Sequence, residues 1–324
     1  MERLLPYNYD GSSCFLNSLL CALFFPTKLR IMDPYILQGQ RADMKNIERQ
    51  NLSHVLRVVA KCIRGSRVGD TSTFTVIRPL IAQLLHSLSN VEFEHGQHDP
   101  ADLFEALIRV YNVGGVFTTK KTVQSLYTNG KKTTTVTTDQ MFRHTVLFSF
   151  AGGGFIRFET LFPAIETLDT GAVLDAVSEE KEDKLAKKRT IIEFGGGPVL
   201  VLTRETFTQP VNYGRWSSST NAYLLPLLNT IEKCVQWYEL QAVLCWKGFI
   251  GPAGETGHYV CFVYDDANQQ WYFYNDLNLI RTPDGGRVSG LEQVLQLEAH
   301  PLYPPSETGT MFVYARVPSH PSDV

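Results

Sequence analysis

Apolar residues in the first third of the chain recur at helical spacing, and beyond residue 114 they give way to short Thr-, Val- and aromatic-rich segments. From Cys14 the chain runs through Phe15, Leu16, Leu19, Leu20, Ala22, Leu23, Phe24 and Phe25 to Pro26, with Ser12 and Ser13 just before it. That pattern predicts a helix with an apolar face whose first turn holds Cys14. Further helices are expected at Leu52 to Ile63 and Val76 to Leu88. A third is expected from Pro100 to Tyr111, where Pro100 suits a first turn and Leu103, Leu107 and Val110 fall on one face. After Gly114 and Gly115, the pair Asn129 and Gly130 between two Thr-rich arms predicts a β-hairpin. Strands are expected at Val146 to Phe150, Phe155 to Phe158 and Val199 to Leu202, with the charged run Lys181 to Arg189 as a solvated helix face or loop. Tyr238 to Leu244, Tyr259 to Tyr264, Trp271 to Tyr274 and Phe312 to Ala315 predict one antiparallel sheet, with Gly285, Gly286, Pro301, Pro304 and Pro305 marking loops before the last strand. The expected class is α+β, helical first and β-rich afterwards.

Composition narrows the function. A 324-residue chain with 44% hydrophobic and 19% charged residues is globular rather than disordered or fibrous. A net charge of −3 gives the whole molecule no bias toward nucleic acid or an anionic membrane. The glycine runs at 152–154 and 195–197 lack the lysine and hydroxyl residue of a phosphate loop and read as turns. The six cysteines contain no Cys-x-x-Cys pair, so neither a zinc ribbon nor a disulfide framework is expected. With no signal-peptide pattern and no apolar run of membrane-spanning length, an intracellular protein of the cytoplasm or nucleus is expected, without membrane insertion.

Among those cysteines, Cys14 alone sits at a predicted helix start, where unpaired backbone N–H groups favour a thiolate. The other five, Cys21, Cys62, Cys234, Cys245 and Cys261, read as interior positions that serve core packing. A cysteine nucleophile needs a base, which can be remote in sequence. Of eight histidines, His258 follows the turn-like Gly254 to Gly257 and begins the strand from Tyr259 to Tyr264. The next strand returns from the polar turn Asp265 to Gln270, so its end, Asn275 or Asp276, comes back beside His258 as an orienting acceptor.

These residues stand in blocks that resemble the ubiquitin-specific proteases. Tyr7 to Leu20 looks like the family's cysteine box, Gln97 to Phe104 like its glutamine-aspartate block, and Gly257 to Val260 followed by Trp271 to Asp276 like its histidine box. Gly197 to Arg204 and Tyr238 to Leu244 resemble its palm strands. The blocks follow the family's order from Tyr7 to Asp276. The resemblance implies a single catalytic domain over residues 1–324 with a papain-like fold: a helical thumb to about residue 113, then β-rich fingers and palm. It implies a deubiquitinase in which Cys14 attacks the carbonyl of ubiquitin's terminal glycine, His258 moves the proton, Asn275 orients the histidine and Asp276 supports it. Asp99 matches the position that contacts the substrate tail, and Gly257, Tyr259 and Trp246 are expected to line the tail's path. The family's oxyanion asparagine falls here at Tyr9, with Asn8 one residue earlier, so both are candidates for that role. Two cysteine knuckles of many relatives are replaced by the Thr-rich hairpin, so no metal and no cofactor is expected. The expected partner is ubiquitin or ubiquitinated protein. The alternatives are a ubiquitin-binding scaffold of weak or no activity and a protease for SUMO or another ubiquitin-like modifier.

Overall fold

The structure is a computed structural model that describes residues 3–8, 11–25, 28–30, 32–36, 46–65, 73–93, 96, 98–111, 113, 117–127, 130–141, 144–146, 166–167, 185–204, 210–229, 231–251, 254–281 and 287–317. The helices come first: α1 (Cys14–Phe24), α2 (Asp33–Ile36), α3 (Ile47–Ile63), α4 (Thr73–Ser89) and α5 (Pro100–Tyr111). The sequence shows one apolar face on α1, but all eleven of its residues are buried. A helix that is apolar on every side belongs inside the molecule, and α1 packs between α3 and α5 on one side and the main sheet on the other. Helix α3 starts where the Asn46 side chain accepts hydrogen bonds from the N–H groups of Glu48 (2.9 Å) and Arg49 (3.0 Å), a cap that lies before the expected start at Leu52. Arg64, just past its end, donates to both oxygens of Asp33 at 2.9 Å and to the Phe24 carbonyl, joining three helices at one guanidinium.

Two sheets follow. The smaller is β2 (Lys132–Met141), β1 (Phe117–Tyr127), β5 (Leu185–Gly195) and β4 (Glu166–Thr167), in that order and antiparallel throughout. Its β1–β2 hairpin turns at Gly130, whose φ of 83° is open to a residue without a side chain. The charged run expected as a solvated helix face or loop is instead part of β5: Leu185 to Arg189 pair with β1, and the preceding residues 181–184 lie outside the described set. Phe155 to Phe158, expected as a strand, also lie outside it.

The larger sheet has nine strands. Its path is β12 (Arg287–Val294), β11 (Gln270–Arg281), β10 (Gly254–Asp265), β9 (Cys234–Gly251), β13 (Gly309–Val317), β6 (Val199–Arg204) and β3 (His144–Val146), with β8 (Ala222–Asn229) on β9 and β7 (Arg215–Ser217) on β8. Among the described residues, only the β3–β6 pair is parallel. Strand β9 extends well beyond the expected Tyr238 to Leu244, because its first part pairs with β8, its middle with β13 and its last part with β10. A 3₁₀ turn at Leu297–Ala299 and a short helix α6 (Pro305–Thr308) connect β12 to β13.

Side chains at the surface of this sheet fasten the helices to it. Lys28, just after α1, reaches the buried Glu239 of β9 at 2.6 Å and Asp266 at 3.0 Å, and Arg3 reaches Asp265 at 3.0 Å. The N-terminal segment lies between both layers. Leu4 N–H donates to the Cys62 carbonyl of α3, Ser289 N–H of β12 donates to the Leu5 carbonyl, and the Tyr274 hydroxyl of β11 donates to the Pro6 carbonyl at 2.6 Å. Tyr274 is completely buried, so its loss would strand the Pro6 carbonyl away from water. Tyr274→Phe is therefore expected to lower unfolding stability by about 1–2 kcal/mol in urea denaturation, with no change of fold; an unchanged midpoint would show that the clamp does not contribute.

Candidate functional site

Strands β10 and β11 pair from Asp265 opposite Gln270 to Cys261 opposite Tyr274, and there the ladder ends. The residues just past it, Asn275 and Asp276 on β11, are thus released from pairing with β10. His258 is not at the start of its strand as expected: β10 already pairs with β9 from Gly254. His258 Nε2 lies 2.9 Å from Asn275 Oδ1 and 3.5 Å from Asp276 Oδ1. Asn275 Oδ1 also accepts the N–H of Leu277 at 3.0 Å. A backbone N–H can only donate, so this bond fixes which end of the Asn275 amide is oxygen. The histidine nitrogen facing that oxygen must carry hydrogen, and in the neutral ring Nδ1 holds the lone pair. Burial holds the His258 pKa below its ordinary value, against the bond to Asn275, which raises it.

Cys14 is fully buried at the first position of α1. The sequence suggests a thiol acidified by the helix start, yet the pKa is raised from 9.0 to about 11. Loss of hydration is the main cause and the Asp276 carboxylate adds to it, outweighing the backbone groups of Tyr259, Phe15 and Cys14 that lower it. Proximity to a helix N-terminus cannot compensate for removing the sulfur from water. Cys234, expected in the interior, is exposed, whereas Cys21, Cys62, Cys245 and Cys261 are buried, and all six cysteines are free of disulfides.

The oxyanion candidates separate. Tyr9 lies outside the described residues. Asn8 is held at the start of α1: its N–H donates to the Asp276 carbonyl at 3.0 Å, and its Oδ1 accepts the Ser13 hydroxyl at 3.2 Å. Ser13 occupies the N-cap position but makes no side-chain capping bond. Its oxygen instead accepts from Asn17 Nδ2 at 3.2 Å, and the same nitrogen donates to Asp276 Oδ2 at 2.8 Å. Ser18 donates to the Tyr259 carbonyl at 3.1 Å. Sequence reasoning passed over Ser13, Asn17 and Ser18. The available signal was two polar residues on a helix whose other nine are apolar or cysteine, where a buried amide must find partners.

The expected tail-binding residues lie at the start of α5 and on β9 and β10. Asp99 is exposed and caps α5, its carboxylate accepting the Ala101 N–H at 2.8 Å. Burial raises the Tyr259 pKa, and the charges of Asp99, Cys14 and Asp102 push it the same way. Trp246, opposite Tyr259 on β9, lies across Gly257: a Cβ on Gly257 would sit 2.0 Å from the indole Nε1 and 2.4 Å from Cε2. His98 packs edge-on against Phe15 and Phe93, with ring centroids 5.3 Å apart in each case. Among the described residues, no group of three or more His, Cys, Asp or Glu side chains is arranged to hold a metal.

A family model described as ubiquitin carboxyl-terminal hydrolase matches residues 117–314, which include His258, Asn275 and Asp276. The chain belongs to that family. It is a deubiquitinating cysteine peptidase with a papain-like α+β fold. Among solved structures it is similar to the SAGA Ubp8/Sgf11/Sus1/Sgf73 DUB module bound to ubiquitin aldehyde, with a TM-score of 0.60 and 14% identity over 98% of this chain and 70% of that one. A cysteine-to-alanine form of that module bound to monoubiquitin matches with a TM-score of 0.59 and 12% identity, covering 98% of this chain and 70% of that one. This likeness extends the common fold to the helical part, which the family model leaves unmatched. No curated protein matches the chain in a sequence search. No helix among the described residues is long and apolar enough to cross a membrane.

Two outcomes follow from this geometry. Because the thiol is held up at about 11, alkylation of Cys14 by iodoacetamide in a Cys234→Ser background should accelerate steadily from pH 7 to pH 10; an acid plateau below pH 6 would contradict it. Gly257→Ala should cost about 1–3 kcal/mol of stability through overlap with the indole. Trp246→Ala in the same chain should recover most of that loss in thermal denaturation, and a double variant no more stable than the single would rule the overlap out.

Proposed function

We propose that the protein hydrolyses the isopeptide or peptide bond after the C-terminal glycine of ubiquitin, with Cys14 as nucleophile and His258 as base. The observation that carries this assignment of roles is the doubly engaged Asn275 oxygen, which holds hydrogen on His258 Nε2 and leaves Nδ1 to receive a proton. Cys14 Sγ forms a bond to the glycine carbonyl carbon while the thiol proton passes to Nδ1. The tetrahedral intermediate collapses as that proton moves to the departing lysine amine, leaving a thioester on Cys14. Water, deprotonated by the same nitrogen, then releases ubiquitin and returns the proton to sulfur.

The raised thiol pKa and the lowered imidazole pKa both favour the uncharged pair in the ligand-free protein. Proton transfer is then coupled to attack rather than completed beforehand. Asp276 sits close enough to His258 to stabilise the imidazolium as it forms. Asp99, exposed beside Tyr259, offers a carboxylate to the backbone N–H groups and cationic side chains of an extended tail. Trp246 over Gly257 forms a flat wall suited to a substrate end that carries no side chains. Six cysteines without a disulfide suit a reducing compartment, the cytoplasm or nucleus.

An alkyne-tipped ubiquitin probe tests the assignment. Wild type should form a covalent adduct, Cys14→Ala should form none, and His258→Ala should label at least tenfold more slowly. Hydrolysis of a ubiquitin C-terminal amide should fall by about a hundredfold or more in both variants, and by less in Asn275→Ala. Adduct formation that survives Cys14→Ala would overturn the nucleophile. Ubiquitin binding by a wild type that neither labels nor hydrolyses would mark a scaffold, and preferential turnover of a SUMO reporter would replace the modifier.

A further inference from the structure

Resting on Cys14 as the nucleophile, we propose that Ser13 and Asn17 are positioning residues that set the polarity of an oxyanion donor, the side-chain amide of Asn8. The direction of hydrogen bonding is imposed from one end. Asp276 as a carboxylate has only acceptor oxygens, so the Asn17 group facing Oδ2 at 2.8 Å must be its NH₂. The second hydrogen of that NH₂ goes to Ser13 Oγ at 3.2 Å. The Ser13 hydroxyl, already accepting, turns its own hydrogen outward to Asn8 Oδ1 at 3.2 Å. The carbonyl end of Asn8 is thereby engaged, and its NH₂ is the end left to donate. A reversed Asn8 would direct a second donor at Ser13 and displace the hydroxyl hydrogen from its acceptor, which a fully buried serine cannot offset with water.

Three further observations support this arrangement. Ser13 holds the N-cap position without capping, so its hydroxyl is diverted from the use that position normally has. Backbone also fixes Asn8, through its N–H to the Asp276 carbonyl at 3.0 Å, so both ends of the relay rest on one residue of β11. The relay passes through Ser13, the residue adjacent to Cys14, and so runs beside the position where a tetrahedral intermediate would form. The displacement of the asparagine by one residue relative to the family is thus accommodated by a hydroxyl that reaches it.

The test separates oxyanion stabilisation from thiol chemistry. Addition of the Cys14 thiol across an alkyne forms a carbon–sulfur bond and moves the thiol hydrogen to carbon, giving a vinyl thioether without an oxyanion. Ser13→Ala should lower kcat on a ubiquitin C-terminal amide by about tenfold to a hundredfold, while KM and the rate of alkyne labelling stay within about twofold. Asn8→Ala should behave alike, and the double variant should be no slower than Asn8→Ala alone. Ser13→Thr, which keeps the hydroxyl, should hydrolyse at least fivefold faster than Ser13→Val. Multiplicative losses in the double variant, or labelling that falls in step with hydrolysis in Ser13→Ala, would overturn the relay. So would a wild type that labels but does not hydrolyse, although Cys14 would stand. A wild type that does neither overturns the reading of Cys14, and the relay with it.

Discussion

Helix α1 has no side that faces water, and the rest of the site follows from that constraint. A buried helix cannot leave polar side chains unanswered, since each unpartnered group costs about 1–3 kcal/mol. Asn17 and Ser18 therefore bond outward to β11 and β10, and Ser13 at the helix start bonds inward to Asn8. The bonds that make burial tolerable are the ones that align the helix beginning at Cys14 with the strands carrying His258 and Asn275. Packing and positioning are the same interactions seen from two sides.

Burial also explains the electrostatic character of the centre. A sulfur removed from water resists ionisation, and an imidazole removed from water resists protonation, so the two desolvation effects act together to suppress the ion pair. Many cysteine enzymes keep a thiolate in waiting. Here burial of both groups favours the uncharged thiol and imidazole instead. Asp276 contributes twice, raising the Cys14 pKa through its charge and anchoring Asn17 through its oxygen.

Much of this was legible in the chain. Helix α5 runs over the residues its apolar spacing marked, and the Thr-rich hairpin turns at Gly130, because in both cases the deciding interactions are local. The strand from Leu185 was not legible, since its charges read as solvated and pairing with the distant β1 and β4 makes it extended. Strand β9 runs to Gly251 for a similar reason: Gly248 and Gly251 interrupt its end, and β10 holds those residues in the sheet. At the site, a returning hairpin was enough to bring Asn275 and Asp276 near His258. The role of Asn17 was hidden because its partner is 259 residues away, and the sign of the thiol shift because burial cannot be read from the three residues around a helix start.

The N-terminal strip from Arg3 to Asn8 lies between α3 and the β11–β12 edge, fastened to residues as far along as Tyr274, Asp276 and Ser289. These links close loops of more than 260 residues, whose entropic cost must be met before the contacts form, so they belong to the last stages of folding. Helices α1 to α5 all precede β11 in the chain, so the strip has no partner at Tyr274 or Asp276 until that strand is present.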